Sequence, residues 1–141
     1  MSLEGNLGKY LTTSSRVQAV CDWCGPTNFL TLNGCYYTKD HDAPNAPASV
    51  LIGGPIQEHP DECALANPIT YIDAQDPPFA IFHGSSDPQV PWCQSQELYH
   101  ALTAAGVPAT FTLVQGVGHA NLGTDATFAA SIAFLKRVLR P

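Results

Sequence analysis

The sequence predicts an α/β fold, a short parallel sheet flanked by helices, as a single domain over residues 1–141. Three observations carry that expectation. Apolar runs of strand length occur at 17–23, 79–84 and 110–114. Segments with apolar residues at helical spacing follow the second and third runs, which gives the strand–helix–strand order of parallel crossovers. Finally, 141 residues with 45% apolar and 13% charged side chains suit one packed core.

The elements follow in chain order. Residues 17–23 form an apolar strand stopped by Gly25-Pro26. From 27 to 60 the chain holds Asn33-Gly34, Pro44, Pro47, Gly53-Gly54-Pro55 and Pro60, which interrupt any sustained period. This stretch is expected to be a long irregular excursion, either a lid or binding loop or a packed surface detour. Pro60-Asp61-Glu62 then opens a short helix, with proline in its first turn and acids near its positive end, and Asn67-Pro68 closes it. Pro77-Pro78 introduces the second strand, whose continuous apolar character marks the interior of a parallel sheet. Between 94 and 105, Leu98, Ala101, Leu102 and Ala105 repeat at helical spacing, and Gly106 stands where a left-handed cap belongs. Residues 110–114 alternate as a third strand, and Gly116 to Gly123 form a glycine-rich loop around His119. The last helix starts near Thr124 and Asp125. It is expected to bury Phe128, Ile132, Leu135 and Leu139 on one stripe, with Lys136, Arg137 and Arg140 at its negative end.

Three strands make a narrow sheet, and the apolar strand at 17–23 is expected at its edge, where it invites self-association. The net charge of −6, with its only basic cluster at the C-terminal end, excludes nucleic acid as a partner. No apolar run approaches the roughly 18 residues of a membrane span, and Met1-Ser2-Leu3-Glu4 does not begin an export signal, so no membrane partner is expected. Five cysteines leave at least one without an intrachain disulfide partner, and Cys24 with Cys63 is one of the open pairings. The Cys21-x-x-Cys24 pair reads as small hydrophobes at a strand end. A zinc site would need further ligands at recognisable spacing, so neither a metal nor a cofactor is expected.

Reactive groups in parallel sheets sit just past the carboxyl ends of strands. Asp87 follows the second strand and His119 the third. On neighbouring loops, a carboxylate can hold one imidazole nitrogen protonated and leave the other free to take a proton from a nucleophile. The order of acid then histidine is that of α/β-hydrolases.

The chain resembles the C-terminal portion of the esterase and lipase branch of the α/β-hydrolase superfamily, near bacterial feruloyl and acetyl esterases that act on plant cell wall esters. The residues that carry the resemblance are Ser14-Ser15-Arg16-Val17-Gln18-Ala19-Val20, Asp22-Trp23, Gly25-Pro26-Thr27, Leu51-Ile52-Gly53-Gly54-Pro55-Ile56, Ala66-Asn67-Pro68-Ile69-Thr70-Tyr71 and Asp76-Pro77-Pro78-Phe79, together with the Asp87 and His119 loops. It implies a partial α/β-hydrolase fold, a small ester as substrate, Asp87 as the acid and His119 as the general base. No G-x-S-x-G elbow and no His-Gly-Gly-Gly segment occurs, and neither Ser2, Ser85 nor Ser86 has elbow glycines around it. The family's elbow lies upstream of the matched stretch, so the chain is expected to begin after it, without the N-terminal half. Asn28, Ser85 and Ala120 depart from the residues common in relatives.

Asp40, His41 and Asp42 read as a solvated polar loop rather than a metal or substrate cluster. Trp23 and Trp92 read as core residues rather than pocket walls, and His83 as a satisfied structural histidine. His59 and His100 read as surface residues. The other readings of the chain are the C-terminal region of a prolyl-oligopeptidase-type serine peptidase and a non-catalytic binding module on the same scaffold.

Overall fold

The protein's structure is a computed structural model that describes residues 8–36, 39–119 and 125–139. The expectations attached to Ser2, Ala120, Gly123, Thr124 and Arg140 lie outside the described residues. Three parallel strands pair in the order β1 (Val20–Trp23), β2 (Phe79–Gly84), β3 (Ala109–Val114). Val20 stands opposite Phe79, and Phe79 opposite Ala109, so the amino ends are level; β2 and β3 finish together at Gly84 and Val114, while β1 stops opposite Phe82. The first strand is shorter than expected: Val17 is 54% exposed and precedes it.

The continuous apolar run of β2 reflects cover on both faces. Successive side chains point to opposite sides. Ile81 therefore packs with Leu98 and Leu102 of α3 (Cys93–Ala104) and with Val107, while Ala80 and Phe82 pack with Phe134 of α4 (Asp125–Val138). The expected helix over 94–105 is thus present as α3, and Gly106 follows it at φ 81°, the left-handed conformation that glycine adopts without a Cβ penalty.

Two expectations are corrected. The stretch from 27 to 60 is not structureless: it holds α1 (Pro47–Ile52) and short 3-10 turns at Phe29–Thr31 and Ile56–Glu58. With α2 (Pro60–Ala66) it builds its own core from Phe29, Leu32, Ala48, Ile52, Ile56 and Cys63. Turns this short display too few residues for a period to show in sequence. On α4 the buried face is Thr127, Ser131 and Phe134, while Phe128, Ile132 and Leu139 are exposed and Leu135 is half-buried. A polar link sets this rotation. The indole Nε1 of Trp23 donates to Ser131 Oγ at 3.1 Å, and that hydroxyl donates to the Thr127 carbonyl at 3.0 Å.

Side-chain acceptors on α3 and just after α2 hold the backbone at the start of the excursion. Gln94 Oε1 accepts from the amides of Thr27 and Asn28, both at 2.8 Å, and Asn67 Oδ1 accepts from Phe29 N at 2.8 Å. A disulfide joins Cys35 of the excursion to Cys93 at the start of α3. This is the pairing found, not Cys24 with Cys63; both of those are buried free thiols, and Cys21 is also free. The bridge closes a loop of 58 residues' separation. Removing it in a Cys35→Ser/Cys93→Ser variant is expected to cost about 2–4 kcal/mol in urea unfolding, and an unchanged midpoint would show that the bridge does not constrain the chain.

Candidate active site

The site begins with two loops that approach unusually closely. A Cβ on Gly84, at the end of β2, would collide with the backbone carbonyl of Val117, so only glycine lets the loop after β2 lie against the loop after β3. The loops are stitched there. Ser85 N donates to Val114 O at 2.9 Å, Ser86 N to Val117 O at 3.0 Å, and Gly116 N to Ser85 Oγ at 2.9 Å. The Ser85 hydroxyl thus accepts an amide from the histidine loop.

This stitching brings Asp87 Oδ2 to 2.8 Å from His119 Nδ1. The two residues singled out in the sequence are therefore brought together. Asp87 is fully buried, and its other oxygen accepts from Gln89 N at 2.8 Å and Val90 N at 3.0 Å. Burial by itself would raise its pKa, but these amides and the His119 ring outweigh it, and the carboxyl ends below its ordinary value. An ionised carboxylate only accepts hydrogen bonds, so His119 donates from Nδ1 and carries its lone pair on Nε2.

Two further groups hold Asp87. Tyr36 Oη donates to the Asp87 carbonyl at 3.0 Å. His83, wholly buried, places Nε2 at 3.2 Å from Asp87 Oδ2 and 2.9 Å from the Val90 carbonyl, with Nδ1 at 2.6 Å from Ser95 Oγ. Burial pushes the His83 pKa down, which keeps the ring neutral. In that state Nε2–H donates and Nδ1 accepts the Ser95 hydroxyl. His83 is thus a satisfied histidine as expected, but its contact with Asp87 was not visible in the spacing.

His119 forms part of the wall of a cavity of about 460 Å³ between the acid loop and the excursion. Phe29, Leu32, Ala48 and Leu51 supply apolar walls, and Asp40 and His41 supply polar ones. The solvated-loop reading of 40–42 is therefore corrected at His41, while Asp40 is exposed as that reading has it. His41 is 9% exposed, burial pushes its pKa down, and its Nε2 is buried with no hydrogen-bond partner among the described residues. Asp42 is tied instead to the excursion, accepting from Gln57 N at 2.8 Å. A histidine between two acids carries no sequence sign of burial; the excursion's own core puts it there. Trp23 packs edge-on to Phe82 and bonds Ser131, and neither it nor Trp92 lines the cavity. Asn28 uses both ends of its amide, donating to Glu97 Oε1 at 2.8 Å and accepting from Leu30 N and Asn67 Nδ2 at 3.2 Å. A carboxylate there would face Glu97.

Cys24 completes the surroundings. Its sulfur, a carboxylate oxygen of Asp87 and a ring nitrogen of His119 all lie within 4.8 Å of one another. Burial, with the neighbouring Asp87 carboxylate acting in the same sense, pushes the Cys24 thiol up to about 11, so it is a thiol rather than a thiolate at neutral pH.

Parallel strands with an acid after one and a histidine after the next, flanked by helices on both faces, define the α/β-hydrolase class. Within it the chain belongs to the BD-FAE family, whose model matches residues 1–102. Among solved structures it is similar to a truncated form of a carbohydrate esterase from gut microbiota, with a TM-score of 0.84 and 36% identity over 96% of this chain and 47% of that one. It is also similar to a bifunctional GH43-CE of Bacteroides eggerthii, with a TM-score of 0.85 and 41% identity over 97% of this chain and 19% of that one. A non-reducing polyketide synthase of Aspergillus calidoustus, ausA, matches at 31% identity over 84% of this chain. The chain spans 5% of that relative's length and less than half of either structure's.

The buried imidazoles give a signed pH dependence. His83 and His41 have depressed pKa values, so below about 6.5 the unfolded chain binds more protons than the folded one, and Asp87 acts in the same sense below about 4. Their contribution is present at neutral pH and lost on acidification. Asp22, whose pKa burial raises, acts in the opposite sense to Asp87 in the carboxylate range, so the imidazole window carries the test: urea unfolding should show stability falling from pH 7 to pH 5. A stability that rises between pH 7 and 5 would contradict the neutral buried rings.

Proposed function

We propose that this chain supplies the acid and base of a serine-dependent carboxylic ester hydrolase, and that serine and oxyanion donors come from residues outside the sequence. The observation that carries the reading is the 2.8 Å bond from His119 Nδ1 to a wholly buried Asp87. The 36%-identical carbohydrate esterase supports the reaction class. The absence of a G-x-S-x-G elbow among the 141 residues supports the division of labour.

The chemistry follows from the tautomer. With Nδ1–H held by Asp87, His119 Nε2 takes the proton of a serine hydroxyl as that oxygen attacks the ester carbonyl. The imidazolium, stabilised by the adjacent carboxylate, then gives the proton to the departing alcohol. Water repeats the cycle on the acyl-enzyme and releases the acid. The cavity beside His119, about 460 Å³ with apolar walls, suits a compact acyl or alcohol group. Small esters, those of plant cell walls among them, are the proposed substrates.

Turnover of p-nitrophenyl acetate tests this. The isolated chain is expected to be no faster than free imidazole. In the polypeptide where this chain adjoins a serine elbow, Asp87→Asn is expected to lower kcat by about 10⁴ with KM little changed, and His119→Ala by at least as much. Fast turnover by the isolated chain that vanishes in His119→Ala would overturn the assignment of the nucleophile to outside residues. Unchanged turnover in the Asp87→Asn polypeptide would overturn the acid.

A further inference from the structure

Cys24 follows β1, Asp87 follows β2 and His119 follows β3. Because the strands are adjacent and parallel, their carboxyl-end loops bring one thiol, one carboxylate and one imidazole into a single cluster, with all three donor atoms within 4.8 Å of one another. Cys24 and Asp87 are buried, and His119 is about a third exposed, at the cavity wall. Cys24 sits at φ 58°, a left-handed conformation that a non-glycine residue seldom adopts, with its amide bonded to the Phe82 carbonyl at 3.0 Å.

We propose that Cys24, Asp87 and His119 form a binding site for a thiophilic divalent cation of the Zn²⁺ kind. One sulfur, one nitrogen and one oxygen donor, with a fourth position left to water, is a donor set that zinc accepts. Zinc bonds of 2.0–2.3 Å set ligand-to-ligand separations of about 3.3–3.8 Å in a tetrahedron, so the cluster closes on the metal through shifts of about 1 Å. Asp87 Oδ1 stays with the amides of Gln89 and Val90, and Oδ2, now on His119, turns to the metal. The charges balance simply. The cation enters, the Cys24 S–H proton leaves to solvent, Asp87 is already ionised, and the His119 proton moves from Nδ1 to Nε2 as Nδ1 becomes a ligand. One proton is released per metal, with no change of oxidation state.

The C-x-x-C motif is not the site. Cys21 lies against the Ser131 carbonyl instead, with its sulfur at 4.0 Å. Binding itself does not rest on the ester hydrolase reading. Its consequence does: a metal on Nδ1 leaves Nε2 protonated, so the occupied site cannot act as general base. The cation is an inhibitor of the proposed reaction.

Titrating the isolated chain with Co²⁺, then Zn²⁺, tests the proposal. Expected are one Co²⁺ per chain with a thiolate-to-cobalt charge-transfer band, displacement by Zn²⁺, and about one proton released per Zn²⁺ by calorimetry in buffers of different ionisation enthalpy. Cys24→Ser should abolish the band and His119→Ala should weaken binding about tenfold or more, each with an unchanged circular dichroism spectrum, while Cys21→Ser and Cys63→Ser bind as the wild type does. No charge-transfer band in the wild type, a band that survives Cys24→Ser, or one lost in Cys21→Ser would overturn the site. Because these readouts need no ester turnover, failure here is distinct from failure of the hydrolase reading.

Discussion

A buried carboxylate must be fully hydrogen-bonded, and the site is organised around meeting that requirement at Asp87. An unpaired charge in this position would cost several kcal/mol. Two backbone amides, two imidazoles and the stitching of two loops meet it. The backbone amides come from the turn after Asp87 itself, and His83 comes from β2. Only His119 comes from the next loop, so the geometry that satisfies Asp87 is also the geometry that orients the base. Stability and chemistry here share one set of hydrogen bonds.

The parallel sheet makes that possible. The second and third strands end together, and the glycine at 84 allows their loops to meet backbone to backbone. The excursion then closes over one side. Its disulfide to Cys93 and the Tyr36 hydroxyl on the Asp87 carbonyl place it against the acid loop, and its core supplies the apolar cavity walls. A segment that reads as loop is therefore a second small core fastened to the first.

What the sequence shows and hides follows from the range of each interaction. The strand at 79–84 is plain because burial on both faces leaves a continuous apolar run, and α3 is plain because Leu98 and Leu102 recur at helical spacing before Gly106. Asp87 and His119 are legible because position after a strand is a topological property. The burial of His41, the Cys35–Cys93 bridge and the nearness of Cys24 to the pair depend on contacts between residues far apart in the chain, and no local period encodes them. On α4, a serine hydroxyl bonded to Trp23 turned a polar face inward against the apolar stripe Phe128, Ile132 and Leu139. Pattern reading ranks side chains by hydrophobicity and misses such a bond.

The central claim is that Asp87 fixes His119 in the tautomer with its proton on Nδ1 and a free lone pair on Nε2. Nitrogen-15 NMR of the neutral ring in the metal-free chain reads this directly. The account predicts a protonated Nδ1 signal coupled to the buried carboxylate and an unprotonated Nε2. A ring with its proton on Nε2 would contradict it.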